Sequence, residues 1–260
     1  MERKTPKKEL KNMQNKKAAT DEKINAAEAA LGLKKAAGEH LTSDMTPISF
    51  DERYKTKIII VRHGESIGNA TRTFLGHTDR DLSERGYAQA ARTDEFLADV
   101  KIDAVYTSDL IRAYNTALPH AKRRNIEVIP SRELREMYAG DWENLKVDDI
   151  IERWEDGFIH GWREQFGVYT IPNGESPLSV ADRLFGKISE IARENEGKTV
   201  LIGCHAAAIR LFWGKISGIS FENLANAFPY PNNASVSVVY FDGERIIPGE
   251  YSHDAHLSDI

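Results

Sequence analysis

The run Lys57-Ile58-Ile59-Ile60-Val61 constrains this chain more than any other stretch. Successive side chains of a strand point to opposite faces, so an unbroken β-branched run cannot keep one face polar. Such a strand has to be covered on both sides, as in the middle of a parallel sheet flanked by helices. Thr199-Val200-Leu201-Ile202-Gly203 has the same character. Helix-like and strand-like stretches alternate around these two. Helices are expected over 83–100, 110–123, 178–195 and 207–216, with one or two more over 147–165. Further strands are expected over 104–106, 127–129, 235–241 and 245–251, the last two meeting at the turn Asp242-Gly243. This order predicts an α/β domain of three layers with helices on both faces of the sheet.

Composition narrows the class. At 260 residues the chain suits one large domain or two small ones, and it can bury a core without disulfide staples. The single Cys204 excludes an internal disulfide and a Cys-based zinc site. No apolar run reaches the length of a membrane span, and the polar start Met1-Glu2-Arg3-Lys4 is unlike a secretory signal. A soluble, cytoplasmic protein of enzyme size is the expectation. The net charge of −5 argues against nucleic acid as a partner. That charge is uneven: residues 1–23 hold eight Lys/Arg against four acids, a net +4, which leaves −9 for the rest. Residues 1–50 are read as a basic extension, flexible or loosely helical, and 51–260 as the folded domain.

Ligands of open α/β sheets bind beyond the carboxyl ends of the strands. The first apolar run leads into Arg62-His63-Gly64-Glu65-Ser66 and the second into Cys204-His205, so two histidines stand just past two buried strands. Gly64 is expected to let backbone approach whatever binds there.

Arg62-His63-Gly64-Glu65-Ser66 with Asn69 resembles the opening signature of the histidine phosphatase superfamily, in the branch that includes cofactor-dependent phosphoglycerate mutase. The resemblance continues through Phe74-Leu75-Gly76-His77-Thr78-Asp79, Leu82-Ser83-Glu84-Arg85-Gly86, Tyr106-Thr107-Ser108-Asp109-Leu110-Ile111-Arg112-Ala113, Leu134-Arg135-Glu136, Gly140-Asp141-Trp142-Glu143, Gly174-Glu175-Ser176 and Gly203-Cys204-His205. It spans about residues 57–257 and leaves 1–50 without a counterpart. It implies a phosphoglycerate mutase-like sandwich with a mostly parallel sheet.

The resemblance also implies roles. His63 is the expected nucleophile, its attacking nitrogen neutral and its other N–H held by an acceptor such as a backbone carbonyl. Arg62 and Arg112 offer planar, permanently charged forks to phosphate. His205, when protonated, adds charge and a donor, and Asn69 adds a neutral donor. Glu136 is the expected general acid, which requires its surroundings to favour the protonated form. A different branch carries its acid just after the second histidine. Here Ala206, Ala207 and Ala208 follow, so Glu136 is preferred. Ala206 keeps the backbone N–H for substrate and adds a methyl group. With this much positive charge in one pocket, no metal or other cofactor is implied.

The expected activity is a phosphomonoesterase acting on a small phosphorylated metabolite through a phosphohistidine. The alternatives are a mutase and a non-catalytic phospho-ligand module. The run Met137-Tyr138-Ala139-Gly140-Asp141-Trp142-Glu143 lacks the mutase pattern, and retention of Glu136 argues against mere binding. Trp154, Phe158, Trp162 and Phe166 either shelter a leaving group or pack the core. His77, Asp79, Glu65 and Ser66 are open between site and turn roles, and Glu175-Ser176-Pro177 reads as a helix start. Cys204 reads as a core residue, and His253 and His256 as tail residues rather than metal ligands. Oligomeric state is left open, a homodimer included.

Overall fold

The computed structural model describes residues 48–260. The basic extension expected over 1–50 lies outside the described residues except for its last three positions. Of these, Ile48 is buried and Phe50 packs beside it against the sheet. The sheet has six strands: β1 (Thr56–Arg62), β2 (Ala104–Ser108), β3 (Val128–Ser131), β4 (Thr199–Cys204), β5 (Val236–Phe241) and β6 (Ile246–Pro248), in the order β3-β2-β4-β1-β5-β6. The first four run parallel, and β5 and β6 complete the sheet in antiparallel fashion. The expected mostly parallel sheet is what forms.

The two faces account for the unbroken apolar runs. Ile59, Val61 and Leu201 pack with Leu97, Ala117 and Ala121, under α2 (Glu84–Phe96) and α3 (Ile111–Arg124). Ile58, Ile60, Val200 and Ile202 pack the other way, against α5 (Pro177–Glu194) and α6 (Ala206–Ile216). All four residues of Ile58–Val61 have no exposed surface, and each fully buried aliphatic side chain of this size contributes roughly 1.5–3 kcal/mol. β1 and β4 are neighbours in parallel register, with Arg62 opposite Cys204. The residues that follow them, His63 and His205, therefore emerge side by side at one edge.

Three local features depart from expectation. The last strand, expected over 245–251, ends at Pro248, because Gly249 and Glu250 both bond to Val238 and this bulge breaks the ladder. A short helix, α1 (Ile67–Ala70), follows β1 unannounced, capped by Ser66 and closed by a capping box with Asn69. The stretch 147–165 divides into α4 (Val147–Arg153) and a π-helical segment, Gly157–Glu164. Such wide turns are rare and often lie at functional sites. Here Gly157 and Gly161 leave room for the Tyr169 ring: a Cβ on Gly161 would come 2.3 Å from Tyr169 Cδ2.

Gly161→Ala should therefore lower stability by roughly 1–3 kcal/mol through overpacking. Gly186 is the internal contrast. It sits inside α5, and a Cβ added there would meet no atom within 4 Å. Gly186→Ala should raise stability by roughly 0.5–1 kcal/mol. Urea melts of the two variants test the pair, and equal effects would reject this account of the π-helical segment.

Candidate active site

A cavity of about 390 Å³ opens at the carboxyl ends of β1 and β4. His63 is buried at its base and its backbone N–H donates to the Cys204 carbonyl at 2.9 Å. Its Nδ1 is 2.7 Å from the Gly64 carbonyl oxygen. A carbonyl can only accept, so Nδ1 carries the proton and Nε2 presents a lone pair. Burial, reinforced by Arg112 and Arg62, holds the ring's pKa well below the ordinary histidine value. The His63 carbonyl is itself bonded by Ala234 N and by Nδ2 of Asn233.

His205 lies with its ring centroid 5.2 Å from that of His63. It is fully buried, and neither ring nitrogen has a partner among the described residues. Burial, then Arg112 and His63, keeps it well below its ordinary pKa. The protonated form considered for it is thus disfavoured, and burial beside Arg112 favours the neutral ring. A dianion would supply both the missing acceptor and the compensating charge.

Arg112, on the first turn of α3, is nearly inaccessible and donates to the carbonyls of Gly76 (2.7 Å) and Thr78 (3.1 Å). Arg62 donates Nη1 to the Pro231 carbonyl at 2.5 Å, and its Nε has no partner among the described residues. Burial brings Arg62 down to about 10, so it stays charged at neutral pH. Asn69 accepts through Oδ1 from Ser66 and from Asn233, which leaves its amide NH₂ as the donor on the pocket side.

The Glu136 carboxylate accepts from the N–H of Met137 (2.8 Å), Ala208 (3.0 Å) and Ala207 (3.2 Å). It is docked on the first turn of α6, which begins directly after His205. A carboxylate offers about four acceptor sites, so one remains, facing the cavity that Glu136 lines. Ala206, at the same helix start, lines the cavity beside it.

The structure brings together all seven residues named for the site: Arg62, His63, Asn69, Arg112, Glu136 and Ala206 line the cavity, and the ring of His205 packs edge-on against His63. Residues with open roles resolve toward support. Asp79 caps α3 through Ile111 N, Glu65 accepts from Ser83 Oγ, and Ser66 caps α1 while also lining the cavity. His77 donates Nε2 to the Glu136 carbonyl. Gly64 differs from expectation: its Cβ position is 2.4 Å from the Gly86 carbonyl oxygen, so the close approach is to the protein's own backbone. Cys204 is buried with its thiol pushed up to about 12. His253 and His256 stack on Phe96.

Two residues that hold the site had no assigned role. Glu143 accepts from His77 N, Thr78 N, Thr78 Oγ1 and Ala139 N, and so ties the loop carrying Arg112's carbonyl partners to the segment carrying Glu136. Arg183, on α5, donates at 2.8 Å to the carbonyls of Glu133, Arg135 and Glu136 while paired with Glu175. An arginine among the apolar residues of α5 was the only sequence signal for it.

The sequence pattern of the histidine phosphatase superfamily (branch 1) matches residues 58–251. Phosphoserine phosphatase 1 of Hydrogenobacter thermophilus is 31% identical over 205 residues, covering 78% of this chain and 95% of the relative. A 2,3-bisphosphoglycerate-dependent phosphoglycerate mutase of Methylorubrum populi is 31% identical over 176 residues, covering 65% of this chain and 82% of the relative. Among solved structures, a mycobacterial glucosyl-3-phosphoglycerate phosphatase complexed with VO3 superposes with a TM-score of 0.71 at 25% identity, over 76% of this chain and 99% of the other. The chain belongs to branch 1 of the histidine phosphatase superfamily and is a phosphoric monoester hydrolase of that family.

Proposed function

We propose that the enzyme transfers the phosphoryl group of a small phosphorylated metabolite first to Nε2 of His63 and then to water. The observation that carries this reading is the Nδ1–Gly64 bond, which fixes the tautomer with a free Nε2 lone pair. In the first step Nε2 bonds to phosphorus as the ester P–O bond breaks, and protonated Glu136 gives its proton to the leaving oxygen. In the second, water attacks the phosphohistidine, Glu136 takes a proton from it, and the P–N bond breaks to release inorganic phosphate. Arg62, Arg112, Asn69 and the Ala206 N–H hold the phosphoryl oxygens, and His205 becomes the proton-bearing donor once the dianion is present. The lone reduced thiol of Cys204 accords with a cytoplasmic location.

Turnover of p-nitrophenyl phosphate is the direct test. Release of nitrophenol should persist in excess EDTA, because the charge around phosphate comes from side chains. Incubation of 3-phosphoglycerate with added 2,3-bisphosphoglycerate should yield far less 2-phosphoglycerate than inorganic phosphate. Loss of activity on chelation, or isomerisation outrunning hydrolysis, would overturn the reading.

A further inference from the structure

We propose that the natural leaving group is an alcohol with an apolar, flat-sided body, so that the substrates are phosphate monoesters of apolar or aromatic alcohols rather than of serine or a sugar acid. This rests on the phosphatase reading above and concerns the other end of the same cavity. The phosphate end is cationic. Apart from the phosphate-binding groups, the lining includes Phe74, Leu75, Met137, Val147, Trp162 and Tyr230, with Arg72 and Thr73 at the rim.

That wall is built rigidly. The Trp162 ring meets Phe74 edge-on at 5.1 Å and stacks with Tyr230 at 6.1 Å. The far side of Tyr230 is backed by the guanidinium of Arg210 at 4.4 Å. Arg210 is itself buried, and it donates to the carbonyls of Phe228 and Ala225. Leu75 packs over Gly68, where a Cβ would come 2.4 Å from Leu75 Cγ, so only a glycine there admits the leucine. The polar side chains on this side sit at the rim. Arg72, at the rim, pairs with Asp148 at 3.0 Å, and the Thr73 hydroxyl is 3.0 Å from that of Thr71. A serine ammonium and carboxylate, or a row of sugar hydroxyls, would lose water against the apolar side chains and meet a charged partner only in Arg72 at the rim, whereas an apolar body gains by the transfer.

The test compares kcat/KM for 3-phenylpropyl phosphate and O-phospho-L-serine, both esters of primary alcohols, with p-nitrophenyl phosphate as the reference. The phenylpropyl ester should be favoured roughly 10- to 100-fold, mainly through KM. Leu75→Asn and the isosteric Val147→Thr should each narrow that ratio, with thermal melts confirming that both variants fold. Should Leu75→Asn fail to fold, Val147→Thr and the ratio for the unaltered enzyme still decide. Equal use of the two esters, or preference for phosphoserine, overturns this proposal and leaves the phosphatase reading standing. Inertness toward all three compounds overturns the phosphatase reading itself.

Discussion

Replacing His63 by alanine is expected to lower kcat by on the order of 10⁴-fold or more, whatever the leaving group, because the covalent route disappears. Neither Cys204 nor Glu136 is suited to take its place. Cys204 is buried with its thiol pushed up to about 12, far from the thiolate form that attacks. The Glu136 carboxylate is fixed by three backbone N–H groups. Reactions quenched in alkaline detergent should show an alkali-stable, acid-labile phosphoenzyme in the unaltered protein and none in the variant. A phosphoenzyme surviving in His63→Ala would place the nucleophile elsewhere. The same residue yields a pH expectation with a definite sign. Protonation at Nε2 abolishes nucleophilicity, and burial with two flanking arginines depresses the pKa well below 6.5. The active form should therefore persist as pH falls through 6.5, and be lost only further down. In ¹⁵N spectra of histidine-labelled protein, the signal missing from His63→Ala should report a neutral ring with its proton on Nδ1 at about pH 6. Half-protonation near 6.5 would contradict the geometry.

Glu136→Gln should divide substrates by their leaving groups. An alkoxide needs a proton as the P–O bond breaks, so alkyl phosphates should lose roughly 10²–10⁴-fold in kcat/KM. Nitrophenolate leaves without help, so p-nitrophenyl phosphate should lose less than about 10-fold in the same step. The substitution is near-isosteric, but it turns an NH₂ group toward one of the N–H groups of Ala207, Ala208 or Met137. A fall in stability of about 1 kcal/mol is the accompanying expectation. Parallel losses in kcat/KM, which reads the first step, would remove Glu136 from protonation of the leaving oxygen.

The features legible in the sequence are those that neighbouring residues decide among themselves. Ile58-Ile59-Ile60-Val61 has to be buried on both faces wherever it lies in a fold, and it is, between α2 and α3 on one side and α5 and α6 on the other. Two buried strands each followed by a histidine point to the strand ends as the site, and the order of motifs identifies Arg112 and Glu136, far away in the chain. Of the four aromatic residues in 154–166, only Trp162 reaches the cavity, while Trp154 and Phe158 pack around Trp142. No periodicity could have chosen among them, because a π-helical turn sets their directions.

The layering of the domain and the edge of the sheet where the cavity opens thus follow from the order of residues alone, and the roles proposed for the groups there rest on the family resemblance. The state of those groups follows from the fold. His205 favours the neutral ring because it is enclosed beside Arg112 and His63. Glu136 is immobile because Arg183 from α5 and His77 both bond its carbonyl. The pocket is cationic at one end and apolar at the other because Leu75, Trp162 and Tyr230, distant in sequence, converge on it. Side-chain type and period are local properties of a chain. Desolvation, charge proximity and hydrogen-bond supply depend on which remote segments close around a group, and they arise only when the chain has folded.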